Sequence, residues 1–76
     1  MSTIDEIKRK SIISRYADVK RDALYDNSLL NDEIKNIIIA YIDETENLLK
    51  RNFITFDEAI IRIAMSEGNA LKEAQA

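Results

Sequence analysis

The chain has 76 residues, enough for one small domain (1–76) and too few for two. Eleven Lys and Arg against 14 Asp and Glu set the formal charge at −3 and the sequence pI near 4.8, which argues against a protein that coats nucleic acid by charge alone. The absence of both His and Cys excludes the usual zinc sites, thiol catalysis, disulfide staples and a histidine general base.

With 46% apolar and 33% charged residues the composition is that of a folding domain, and the 13 isoleucines point to a core of stiff β-branched side chains. There is no proline and a single glycine, so helices joined by short polar turns are expected rather than strands. Thr3-Ile4-Asp5-Glu6 has the spacing of a capping box, and a first helix is expected over about 4–26. Its apolar stripe reads as Ile12, Ile13, Tyr16, Val19, Ala23 and Leu24. At about 100° per residue, Ile4 and Ile7 fall on the other side. Asp26-Asn27-Ser28 favours side-chain bonds to the local backbone over further helix.

Asn31 reads as the cap of a second helix over about 32–51, with Asp32 and Glu33 suited to the positive end of its dipole. Ile34, Ile38, Tyr41, Thr45 and Leu48 recur at alternating steps of four and three, flanked by Ile37, Ile42 and Leu49, which marks a buried stripe. Lys50 and Arg51 suit the carboxyl end, and Asn52 tolerates a left-handed turn. Thr55-Phe56-Asp57-Glu58 repeats the capping-box spacing and opens a third helix over about 56–67, with Phe56, Ala59, Ile60 and Ile63 facing inward. Gly68-Asn69 reads as its end or as a weak point in a longer helix, and 68–76 as a frayed helical tail. The fold expected is an all-α three-helix bundle, antiparallel in its simplest packing, with dimerisation as the structural alternative.

The longest apolar run, Ile37 to Ile42, is far short of the roughly 20 residues needed to cross a bilayer. Met1 to Lys10 mixes acids and bases with no hydrophobic stretch, so no secretory signal is read and a cytoplasmic location is expected.

Six bases, Lys8, Arg9, Lys10, Arg15, Lys20 and Arg21, fall between residues 8 and 21 with Asp18 alone against them, and together they are the candidate contacts for nucleic-acid phosphate. At helical spacing they do not converge, and Arg15 is placed to pair with Asp18 and Asp22, so a solvated, salt-bridged face is the plainer reading. Asp18, Asp22 and Asp26 line one side at steps of four, but a helix face is poorly organised to hold a cation, and no metal or cofactor is expected. Asp43, Glu44 and Glu46, with Asp57 and Glu58, read as a solubilising surface or an acidic docking face. Ala64, Gly68 and Ala74 have the spacing of a helix-turn-helix, yet the helix that would read a groove offers only Lys72, Glu73 and Gln75.

No nucleophile–base pair is evident, and Glu44 or Glu58 would need a desolvating cleft to act as a base, so the chain is read as non-enzymatic. Ile61 and Met65, Ile39, and Ile4 with Ile7 remain after one core is assembled, and they are the candidate partner-binding residues. The expectation is a small protein-interaction module, a regulator or inhibitor that binds a protein partner. A nucleic-acid-associated regulator and a structural homo-oligomer subunit are the alternatives.

Overall fold

A computed structural model describes residues 3–75, with side chains from Ile4 to Lys72. It contains four α-helices and, among the described residues, no strand: α1 (Thr3–Asp26), α2 (Asp32–Lys50), α3 (Phe56–Ala64) and α4 (Ser66–Gln75). The first two helices fall where the sequence puts them. The third differs, because it stops at Ala64 rather than near Glu67, and what reads as a frayed tail is a fourth helix with Ala70 fully buried.

Local chemistry explains each boundary. The Thr3 side chain, the expected first cap, lies outside the described residues. After α1, Asn27 turns the chain by accepting the Leu29 N–H on its side-chain oxygen at 2.9 Å. Asn31 caps α2 by accepting from the Ile34 N–H at 2.8 Å, and Thr55 caps α3 by accepting from the Glu58 N–H at 3.2 Å. The end of α2 is a Schellman turn. Phe53 N–H reaches the Leu48 carbonyl at 2.9 Å and Asn52 N–H the Leu49 carbonyl at 3.0 Å, which needs Asn52 at φ 64°.

The break between α3 and α4 uses neither proline nor glycine. Met65 leaves helical geometry at φ −100°, ψ 6°, and the buried Ser66 hydroxyl donates to the Ile63 carbonyl at 2.8 Å. A serine bonding back into the preceding turn bends a helix. Gly68 sits inside α4 without a positive φ, so the helix-turn-helix spacing read from Ala64, Gly68 and Ala74 is not realised.

Cross-helix contacts set the directions. Arg21 of α1 bonds Asp43 of α2, and Lys35 Nζ donates to the Tyr25 carbonyl at 3.5 Å, so α1 and α2 run antiparallel. Arg9 lies over the Phe56 ring, while Lys20, Ala23 and Leu24 share a cleft with Ala64 and Ser66, so α3 runs alongside α1 in the same direction. The second helix touches the other three. The fourth packs on α2 and α3 but, among the described residues, not on α1. The bundle therefore has three rods, the third bent at Met65 so that its last segment leaves α1 and lies on α2.

The core is built from Ile13, Ala17 and Leu24 of α1, Ile38, Ile42 and Leu49 of α2, Ala59 and Ile63 of α3, and Ala70 of α4. Full burial of each isoleucine contributes about 1.5–3 kcal/mol, an upper estimate. In α1 the inward positions are not the stripe expected from the most apolar side chains. Ile12 and Val19 are exposed, at 51% and 64%, and Ala23 is exposed with them, whereas Ala17 is fully buried. A methyl group at position 17 lets the neighbouring backbones approach, and the helix turns that side inward.

The molecule is elongated, 42 × 25 × 15 Å. Its radius of gyration is 13.1 Å, against roughly 11 Å for a compact chain of this length. It exposes 5515 Å², where a monomer of its mass exposes roughly 4,700 Å².

Candidate interaction surface

The strongest polar cluster joins α1 to α2. Arg21 Nε and Nη2 donate to Asp43 Oδ1 at 2.9 and 2.7 Å, Nη1 donates to Asp18 Oδ1 at 2.9 Å, and Nη2 also bonds Glu46. The Arg21 side chain is only 20% exposed. Partial burial works against its charge, but the bonds from Glu46 and Asp43 outweigh that, and the guanidinium is held above its ordinary value. Arg21 is thus a clamp between helices, with its charge turned to α2. Two acids of the expected docking cluster, Asp43 and Glu46, are its partners, so they face α1, while Glu44, Asp57 and Glu58 remain exposed.

A second polar chain crosses α2, α3 and α4. Thr45, fully buried, donates to the Tyr41 carbonyl at 2.9 Å and accepts from Arg62 Nε at 3.2 Å. The Arg62 guanidinium lies 4.9 Å from the Tyr41 ring centre, and Asn69 Nδ2 donates to the Tyr41 hydroxyl at 3.5 Å. Among the described residues no buried side-chain nitrogen or oxygen lacks a partner, so this chain is structural in character.

The remaining bases of α1 are dispersed. Arg9 lies 5.8 Å from the Phe56 ring centre and Lys20 5.6 Å from that of Tyr16. Arg15 does not pair with Asp18 or Asp22 as its spacing suggests, because Asp18 is taken by Arg21 and Asp22 lies two turns away on the same side. Among the described residues Lys8, Arg15, Asp22 and Asp26 form no ion pair.

The five candidate partner-binding residues separate into three places. Ile39 is half-buried and packs against the core. Ile4 and Ile7 are exposed near the start of α1. Ile61 on the last turn of α3 and Met65, one turn on at the cap that ends it, are 57% and 56% exposed, while the opposite side of the helix, Ala59 and Ile63, is closed in the core. The structure therefore does not bring all five onto one surface. Sequence reasoning missed the outward stripe of α1, Ile12, Val19 and Ala23 beside half-buried Tyr16, because the same residues read as core. A signal was present: the apolar residues of α1 are spread round the helix rather than gathered on one side.

An open groove of about 480 Å³ between α1 and α2 is lined by Lys10, Ser14, Glu46, Asn47 and Lys50 over Ile13 and Leu49. Glu44 and Glu58 are exposed and lie outside it, so neither is desolvated there. No cluster of three or more acidic residues suited to a cation occurs among the described residues. No helix among them is long and apolar enough to cross a membrane. Comparison with known protein families, with curated proteins and with solved structures finds no match to this chain.

Proposed function

We propose that the chain is a small non-catalytic interaction module that regulates or inhibits a protein partner by docking the outer face of α3 on it. The observation that carries this reading is the pair Ile61 and Met65, adjacent on one helical turn and more than half exposed, while the core is already closed behind them by Ala59 and Ile63. An adaptable methionine beside a rigid branched side chain suits a contact surface. Phosphate binding by α1 is disfavoured by its own charge pattern, since Arg21 is clamped by three carboxylates and Asp22 and Asp26 sit on the same helix.

The test is a capture experiment from the host lysate with and without nuclease, using the wild-type chain and the double variant Ile61→Asp, Met65→Lys. A protein retained stoichiometrically after nuclease by the wild type, and at least about tenfold less by the variant with unchanged helical circular dichroism, supports the reading. Equal retention by both chains removes α3 from the account. Recovery of nucleic acid that weakens steeply with salt replaces it with the phosphate-binding alternative.

A further inference from the structure

The outward side of α1 carries an order that the single chain uses only in part: Tyr16 packs against the core and Ala23 borders the cleft with Ala64 and Ser66, while Ile12 and Val19 stay exposed. Ile12, Tyr16, Val19 and Ala23 follow one another at steps of four, three and four, the spacing of a seam between two helices. Ile12, Val19 and Ala23 are exposed, and Tyr16 is half-buried under Lys20. Beside this seam, on the flank away from the chain's own core, lie Lys8, Arg15, Asp22 and Asp26, two positive charges and then two negative ones. None of the four forms an ion pair among the described residues.

We propose that α1 pairs with α1 of a second copy, antiparallel, about a two-fold axis passing between Ala17 and Asp18. In that register Ile12 of each copy meets Ala23 of the other, and Tyr16 meets Val19. The same operation sets Arg15 against Asp22 and Lys8 against Asp26, each twice by symmetry, as an isologous contact requires. Parallel pairing loses this, because it brings the Arg15 flank against Lys20, a like charge. Charge order thus selects both the partner, a second copy, and its direction. The inference is independent of the reading of α3, because it rests on residues of α1 alone.

Sedimentation equilibrium of the full chain from micromolar to millimolar tests it. The expected mass rises towards twice 8.7 kDa. Arg15→Asp and Asp22→Arg, both at exposed positions, each raise the dissociation constant about tenfold or more by creating two like-charge contacts. An equimolar mixture of these two variants restores the dimer, because every contact across the axis then joins opposite charges. Spin labels on Asp5→Cys in an otherwise unchanged chain lie roughly 37 Å apart along the axis at about 1.5 Å of rise per residue, against about 10 Å between parallel neighbours. A wild-type chain that stays monomeric, a dimer indifferent to either reversal, no recovery on mixing, or the short label distance would each overturn the proposal.

Discussion

Arg62 Nε donates to Thr45 Oγ1 at 3.2 Å while the same hydroxyl donates to the Tyr41 carbonyl at 2.9 Å, so one buried threonine ties α3 to the middle of α2. Position 45 lies on the buried stripe of α2 between Ile38, Ile42 and Leu49, where an aliphatic residue would pack equally well. Replacing Thr45 by Val keeps the shape and removes only the hydrogen bonds. Its expected cost is about 0.5–1.5 kcal/mol, and Thr45→Ala costs about 1 kcal/mol more through the cavity it leaves. Urea unfolding midpoints distinguish them. Equal stability of wild type and Thr45→Val would mean that the Arg62 bond contributes nothing net.

The Arg21 clamp joins α1 to α2, so its loss should be felt in global stability. Arg21→Ala is expected to cost about 1–2 kcal/mol, since the charge-assisted bonds of its guanidinium are lost and Asp43 and Glu46 are left without their shared partner. Asp18→Ala, which removes one bond to a carboxylate that is 69% exposed, should stay within about 0.5 kcal/mol. Chemical denaturation at low and high salt checks both. Similar losses for the two variants would show that the contact to α2 is no stronger than the surface pair along α1.

Gly68 offers a stabilising substitution. It lies inside α4 without a positive φ, and a Cβ built there meets nothing within 4 Å. Gly68→Ala should therefore stabilise by about 0.5–1 kcal/mol, by restricting the unfolded chain and raising helix propensity. A thermal melt reads this as a Tm increase of roughly 2–8 °C for a chain of this size. A lowered Tm would mean that α4 needs a break at this point.

Asn52 responds to opposite pressures. Its φ of 64° is left-handed, and the Schellman turn that ends α2 depends on it. Asn52→Ala is expected to cost about 1 kcal/mol, whereas Asn52→Gly should be neutral or slightly stabilising. Comparing the two by equilibrium unfolding isolates the backbone term, because the position is exposed.

The helix starts at Asn31 and Thr55, the turn at Asn52 and the stripe of α2 were all readable, because each rests on interactions within a few residues of its own sequence. What was hidden depends on contacts between distant segments. Nothing local says that Ala17 rather than Ile12 turns inward, since hydrophobicity ranks isoleucine first and only the close approach of another helix makes a methyl group the better fit. Arg21 reads as one more base in a charged run until Asp43 and Glu46 are brought opposite it by the antiparallel turn of α2. The bend at Met65 escaped notice because the sequence places its only glycine three residues later, and the bend depends on how the Ser66 hydroxyl is buried. On the candidate surface, exposure of Ile61 and Met65 agrees with the pattern left over after core assembly, while Ile39 shows that a leftover position can still lie against the core.

Three of the buried apolar residues among those described, Ala17, Ala59 and Ala70, are alanines drawn from three different helices. Isoleucine and leucine positions can drift among Val, Leu, Ile and Met at modest cost, because neighbours absorb a change of shape. Positions filled by a single methyl group have no such latitude: a larger residue pushes two backbones apart, and only glycine is smaller. Over long divergence the oily residues of this chain would be expected to scramble while its interior alanines stay in place, so distant kin should be more recognisable by the spacing 17, 59 and 70 than by any run of isoleucine.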